Sequence, residues 1–96
     1  MLLLGSDPVF AAHDTGRGHP ERAARLDAVM AGITRAGLDD ARTLLAPRAA
    51  TYEELERVHP REHLDRVRAQ CEHGGAIDAD TTVSPGSWAA ALHAAG

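Results

Sequence analysis

The sequence predicts an α/β fold that begins with a βαβ unit, because two short apolar runs flank an amphipathic helix. The first run, residues 2–4, consists of leucines and ends at Gly5. The second run, residues 43–46, ends before Pro47. The helix between them carries apolar residues at the i, i+3, i+4, i+7 spacing of one face, which are Leu26, Val29, Met30 and Ile33. Because a crossover through one helix joins parallel strands, we expect these two strands to be parallel.

Start and stop signals bound the first two predicted helices. Pro20 suits the first position of a helix and Gly37 suits its end, so the first helix is predicted between them. Thr51 and Glu54 have the spacing of a capping box, in which the hydroxyl and the carboxylate each accept a backbone N–H. This box predicts a short second helix that ends at Val58.

Two more helices complete the predicted set. A third helix is predicted from about Arg61, after a break at Pro60, to Gly74. Residues 77–83 are mostly polar and are predicted to form a loop. Ser84 then suits the N-cap of a last helix.

Composition argues against several classes of partner. The net charge is −4 and the acidic and basic residues are interspersed, so no clustered basic face is available to bind a phosphate backbone. The leading apolar run is far too short to cross a membrane. The single cysteine, Cys71, cannot form an internal disulfide and fits a reducing compartment. We therefore expect a soluble, cytoplasmic protein without nucleic-acid or membrane partners.

The predicted core is small. The chain has 96 residues, of which 44% are hydrophobic and only 3% aromatic, and many of the apolar residues are alanines. Alanine contributes little buried area, so a large independent core is not expected. The last predicted helix is still amphipathic at Gly96. We therefore expect the chain to be a piece of a larger domain that is not stable alone.

The stretch HDTGRGHPERAARL concentrates ionisable side chains between the first strand and the first helix. His13, Asp14 and His19 are residue types that bind zinc or iron. In a glycine-rich loop, the same side chains also bond backbone amides and fix the loop. The loop or pocket-wall role is favoured over metal ligation, because metal-dependent HD phosphohydrolases need a further upstream histidine that this sequence lacks.

A second histidine cluster, formed by His59, Glu62 and His63, matches the H-x-x-E-H string of one class of zinc peptidases. That chemistry requires both histidines on one continuous helix, so that the two imidazoles point at the same metal ion. Pro60 lies between them and places His59 before the helix. A cap or core-edge role for His59 is therefore favoured over a peptidase site.

Two pairs of charged residues have both a structural and a ligand-binding interpretation. Arg22 and Arg25 lie one helical turn apart and either form surface ion pairs or present their guanidinium groups to a buried carboxylate or carbonyl. The residues alone leave both possibilities open. Asp78 and Asp80 precede a helix, where turn and capping roles are favoured over the anchoring of a ligand.

Three segments, in order along the chain, resemble one known family. HDTGRGHPERAARL is similar to the first loop and helix of bacterial and class II-like deacetylases, whose usual form is HDTG-x-GHPERP-x-RL. ATYEELERVHPREHLDRV and IDADTTVSPGSWAAALHAAG resemble two later elements of those enzymes. The chain thus resembles the N-terminal portion of the histone deacetylase/acetylpolyamine amidohydrolase family. Ala23 departs from the pattern, which usually has proline there.

The resemblance implies a three-layer α/β/α sandwich of the arginase/deacetylase type. Residues 1–96 would hold its first βαβ unit and the following helices, as the N-terminal segment of a catalytic domain. The implied activity is hydrolysis of an N-acetyl amide by zinc held by two aspartates and a histidine, with tandem histidines and a tyrosine. These elements lie downstream of the matched segments in the family. No catalytic or metal-binding residue is therefore expected in this chain, and no zinc bound by it alone.

The resemblance also implies peripheral roles for several residues. Arg25 would line the inner end of the acetyl pocket. Asp78, and less surely Asp80, would bind substrate at the rim. The first active-site loop would be shaped by four residues: His13, Asp14, His19 and Pro20.

We therefore expect the N-terminal part of a bacterial zinc-dependent deacetylase, inactive by itself. Its substrate would be an acetylated small molecule, such as an acetylpolyamine, or an acetylated protein lysine. The alternative is a small non-enzymatic interaction or metal-binding protein, and a zinc peptidase using His59, Glu62 and His63 comes third. A cooperative thermal transition of residues 1–96 alone is expected only for the small independent protein.

Overall fold

The structure, a computed structural model, describes residues 1–96 and contains four short strands and four α-helices. The strands are β1 (Leu2–Gly5), β2 (Arg42–Leu45), β3 (Gly75–Ala76) and β4 (Thr82–Val83). The helices are α1 (Ala24–Arg35), α2 (Tyr52–Leu55), α3 (Arg61–His73) and α4 (Ser87–Ala95). Two 3-10 helices, Pro8–Ala12 and Asp39–Ala41, precede α1 and β2. None of the helices combines the length and the apolar content that crossing a membrane requires.

The predicted βαβ unit is present. β1 and β2 are paired in parallel, with Leu2 opposite Arg42 and Gly5 opposite Leu45. The connection between them runs through α1, as the crossover predicts. β3 and β4 form a separate antiparallel pair, of which β4 lies inside residues 77–83, predicted to form a loop, and β3 directly precedes them.

The first helix begins later than predicted. α1 starts at Ala24 and not at Pro20. The hydroxyl of Thr15 donates to the backbone C=O of Glu21, and Nδ1 of His19 accepts the backbone N–H of Glu21 at 3.1 Å. These side chains engage the backbone of Glu21 outside the helical pattern, so the helix can begin only after it.

Two other boundaries also differ. α2 is a single turn, Tyr52–Leu55, with both halves of the predicted capping box formed by Thr51 and Glu54. α4 begins at Ser87 and has Gly86 at its N-cap. Ser84 does not cap this helix because its hydroxyl accepts the backbone N–H of Asp14 at 3.0 Å instead.

The buried residues are few and lie outside the strands and helix of the βαβ unit. Seven of the 96 residues are buried, and the apolar ones among them are Ala50, Leu64, Cys71, Val83 and Ala90. None of them belongs to β1, α1 or β2. The radius of gyration is 15.1 Å, against about 12.5 Å for a compact domain of this length. The βαβ unit therefore leaves most of its apolar surface uncovered.

Candidate active-site loop

The loop between the first 3-10 helix and α1, residues 13–23, is named the HD loop here. Its backbone is held by its own side chains: Oδ1 of Asp14 accepts the N–H of Gly16 at 2.9 Å, and His19 bonds Glu21 as described above. Gly16 and Gly18 have φ values of 88° and 83°, a region that favours glycine. Asp14 and His19 thus perform the backbone-bonding role that their loop position favours.

Residues 84–87, named the SPGS turn, hold the start of the HD loop. Nδ1 of His13 lies 2.6 Å from Oγ of Ser87, and Oγ of Ser84 accepts the N–H of Asp14. Ser87 is only 5% exposed. Gly86 is in close contact with the Ala12 backbone, since a Cβ built there would lie 2.8 Å from the Ala12 carbonyl carbon. The turn and the loop are therefore packed together as well as hydrogen-bonded.

Residues 77–81, named the acidic turn, contact the other end of the HD loop. Nε2 of His19 lies 3.3 Å from the backbone oxygen of Asp80. Because Nδ1 of His19 accepts the N–H of Glu21, the proton of the neutral ring sits on Nε2 and is donated to Asp80. The histidine therefore joins two loops that are 61 residues apart.

The two aspartates of the acidic turn have different environments. Oδ1 of Asp78 accepts the backbone N–H of Asp80 at 2.9 Å, a bond that lowers the pKa of the Asp78 carboxyl, with a smaller contribution from Thr81. The carboxylate of Asp80 has no ion-pair partner within 4.0 Å. Asp80 lines a groove of about 590 Å³ together with Arg17, His19 and Pro20. Asp78 thus shapes the turn, and Asp80 faces the groove.

A second cavity, of about 370 Å³, lies between the HD loop, α3 and α4. Its wall is mostly apolar, and its polar side chains are His13, Glu21, Arg22 and Ser87. Arg22 has no ion-pair partner, whereas Arg25 is paired with Glu21 and its side chain is 57% exposed. Arg25 is not among the residues that line this cavity. Its guanidinium is ion-paired with Glu21, which does line the cavity.

Sequence reasoning missed three residues of this region as site residues. The sequence leaves both interpretations of Arg22 open, although its position one helical turn from Arg25 offers the same signal. Ser84 was interpreted as a helix cap, and Ser87 was not singled out. The SPGS string carried the available signal, because two serines three residues apart place two hydroxyls on one turn.

The second histidine cluster does not have the geometry of a peptidase site. His59 lies before α3, as the break at Pro60 predicts, whereas Glu62 and His63 lie in its first turn. The rings of His59 and His63 are tilted by 38° with centroids 4.9 Å apart. No third side chain completes a metal site with them, so the H-x-x-E-H match carries no peptidase chemistry here.

The donor set of this chain also does not fit a resident zinc ion elsewhere. No group of three His, Cys, Asp or Glu side chains lies close enough together to hold a metal. The thiol of Cys71, which is 2% exposed, lines the cavity, and burial raises its pKa. It is therefore a packing residue and not a thiolate ligand.

Comparison with known proteins agrees with the sequence resemblance. Residues 19–96 match the histone deacetylase domain family. A probable deacetylase of Archaeoglobus fulgidus is 33% identical over 89 residues, which cover 91% of this chain and 25% of that protein. An uncharacterized protein of Synechocystis sp. is 34% identical over 92 residues, which cover 92% of this chain and 30% of that protein.

A solved structure shows the same fold. The crystal structure of the HDA15 HD domain matches this chain with a TM-score of 0.86 at 30% identity, over all of this chain and 29% of that one. The predicted α/β class and its assignment to the deacetylase fold are thereby confirmed. The chain spans about a quarter to a third of the length of these proteins. It belongs to the histone deacetylase domain family.

Proposed function

We propose that residues 1–96 are the N-terminal part of the catalytic domain of a zinc-dependent deacetylase that hydrolyses N-acetyl amides. Beyond family membership, one observation carries this proposal: the HD loop is bonded to the SPGS turn through His13 and to the acidic turn through His19. Loop residues that are distant in sequence therefore line common concave surfaces. Such convergence of loops on a scaffold is typical of binding and catalytic sites.

The uncovered βαβ unit supports the view that these residues are one part of a larger domain. Parallel sheets occur almost only where both faces are covered by other elements. Here Leu3 and Leu44, on the two paired strands, are 58% and 64% exposed, and Val29 of α1 is 55% exposed. Further layers of a three-layer sandwich would bury this surface.

The site residues have separate roles in the proposed enzyme. Asp80 binds substrate at the rim, and Asp78 holds the turn that presents it. Arg22 lines the cavity directly, and Arg25 supports its wall through Glu21. The first active-site loop is shaped by four residues: His13, Asp14, His19 and Pro20.

Zinc would be held by residues outside these 96, because this chain offers no three-ligand cluster. These 96 residues are proposed to be inactive alone, and no step of the reaction is assigned to their side chains. Acetyl-lysine in proteins and acetylpolyamine-like small molecules are both proposed substrates. A cytoplasmic location is proposed with them, since the lone cysteine fits a reducing compartment.

A direct test uses the protein purified from its native source. Its intact mass is measured, and it is assayed with an acetyl-lysine peptide and with an acetylpolyamine, before and after chelation and after zinc is restored. We expect a mass above 10.2 kDa, with amide hydrolysis that chelation removes and zinc restores. The 96-residue chain, assayed in parallel, is expected to be inactive. Absence of zinc-restored hydrolysis of both substrates in the native protein would overturn the proposal.

The roles of the two arginines are tested separately in the same protein. Arg22→Ala is expected to lower kcat/KM about tenfold, the effect of losing one charged hydrogen bond. Arg25→Ala should change it by no more than about threefold, because a surface ion pair contributes little. Arg57→Ala, an exposed arginine away from the cavity, serves as the control. A larger effect for Arg25→Ala than for Arg22→Ala would identify Arg25 as the arginine that lines the pocket.

A further inference from the structure

The imidazole of His13 is held at only one of its two nitrogens. Nδ1 lies 2.6 Å from Oγ of Ser87, and Nε2 has no hydrogen-bond partner. Nε2 is also accessible. The only buried side-chain nitrogen or oxygen atom without a partner is Nη1 of Arg42, so the unpartnered Nε2 of His13 is not buried. His13 and Ser87 both line the 370 Å³ cavity. The ring therefore presents a free nitrogen near that cavity.

Ser87 is fixed by further bonds within the SPGS turn. Its Oγ accepts the backbone N–H of Ser84 at 2.8 Å and lies 3.3 Å from the Ser84 hydroxyl. The Ser84 hydroxyl in turn lies 3.4 Å from the backbone oxygen of Ala12. A buried hydroxyl without partners is costly, and the hydroxyl of the buried Ser87 has several partners. The serine pair is thus a rigid support behind His13.

The same support satisfies both neutral tautomers of His13. In one, the Ser87 hydroxyl donates to Nδ1 and the proton of the ring sits on Nε2. In the other, Nδ1–H donates to Ser87, whose hydroxyl then donates to Ser84, and Ser84 donates to the Ala12 oxygen. Between these states the ring proton changes nitrogen and the two hydroxyl hydrogens reorient, but no heavy atom moves. Nε2 can therefore act as a hydrogen-bond donor or as an acceptor while the ring stays in place.

We propose that Ser87 is a positioning residue that holds His13 with Nε2 available to hydrogen-bond a polar group of a ligand in the cavity. This inference rests on the proposed function, in which the HD loop belongs to the active site of a deacetylase. Ser87 does not contact the ligand in this arrangement; it acts through His13. A group with either hydrogen-bonding character, such as an amide carbonyl or a hydroxyl, can be bound at Nε2.

Kinetics of the full-length protein on an acetyl-lysine peptide provide the first test. Ser87→Ala is expected to lower kcat/KM about tenfold, and Ser87→Thr, which keeps the hydroxyl, to restore it to within about threefold. Ser6→Ala is the control, because Ser6 is exposed and away from the cavity. In the His13→Ala background, Ser87→Ala should have no further effect. Independent, additive effects of the two substitutions would overturn the proposal. If Ser87→Ala does not fold, Ser87→Cys takes its place.

NMR of the same protein, labelled with ¹⁵N at histidine, tests the inference without relying on activity. In the wild type, the ring nitrogens of His13 should show the shifts of a hydrogen-bonded Nδ1, and Ser87→Ala should move them to the values of a free imidazole. Ser6→Ala should leave them unchanged. Unchanged His13 signals in Ser87→Ala would overturn the positioning role. A protein without deacetylase activity whose His13 signals respond as expected would overturn the proposed function and retain the Ser87–His13 link.

Discussion

The two halves of the molecule differ sharply in how far they stabilise themselves. In the loop half, which comprises the HD loop and residues 61–96, Leu64, Cys71 and Val83 are 4%, 2% and 7% exposed. In the βαβ half, which comprises β1, α1 and β2, no residue is buried. The loop half is also joined by hydrogen bonds between residues up to 74 positions apart. We infer that the site region is fixed from within these residues, whereas the sheet depends on apolar surface supplied from outside them.

The largest expected effects come from one leucine in each half, measured by urea unfolding of the full-length protein. Leu64→Ala should cost about 3 kcal/mol, because it leaves a cavity in a filled core. Leu44→Ala should cost about 2 kcal/mol, although Leu44 is 64% exposed within these residues. A cost below about 0.5 kcal/mol for Leu44→Ala would show that its side chain remains exposed to water. It would contradict the inference that the sheet is covered by apolar surface from outside these residues.

Two glycines give the next effect in size. Gly86→Ala should lower the free energy of unfolding by about 2 kcal/mol, since the new Cβ would overlap the Ala12 backbone. Gly32→Ala, in α1, meets no atom within 4 Å and should raise the stability by up to about 1 kcal/mol. Thermal unfolding of both variants in the full-length protein checks the contrast. Equal effects of the two substitutions would mean that the SPGS turn is not tightly packed against Ala12.

The smallest expected effect concerns the capping box of α2. Glu54 accepts hydrogen bonds from Arg48 and from the Thr51 backbone, which lower its pKa to about 2. A depressed pKa in the folded state stabilises the protein above the ordinary pKa of 4.5, and this stabilisation disappears as the pH falls toward about 2. The Tm difference between wild type and Glu54→Gln should therefore shrink over that range. Glu53→Gln, on the same exposed turn, should show no such trend, and a constant Glu54→Gln difference would contradict the assignment.

Local features of the fold were predictable from the sequence because neighbouring residues determine them. The parallel pairing of β1 and β2 follows from the strand–helix–strand order, and the capping box follows from Thr51 and Glu54 alone. The break at Pro60 is likewise local. The predicted start of α1 at Pro20 was wrong, because the side chains of Thr15 and His19 form hydrogen bonds with the backbone of Glu21.

Long-range partners within the site were not predictable in the same way. Nothing near Ser84 or Ser87 in the sequence indicates that their hydroxyls bond residues of the HD loop. A hydroxyl can bond whichever group the fold brings near it, so its partner is set by tertiary packing. Whether Arg22 or Arg25 lines a cavity likewise depends on tertiary packing, and here the Arg25 side chain is paired with Glu21.

Hydrogen exchange tests the difference between the two halves most directly. The amides of β1 and β2 are compared between the protein from its native source and the isolated 96-residue chain. We expect these amides to exchange at least about a hundredfold more slowly in the native protein. This ratio corresponds to an opening free energy that is higher by about 3 kcal/mol than in the isolated chain. Equal exchange rates for these amides in the two samples would contradict the claim that the sheet is covered by a larger deacetylase domain.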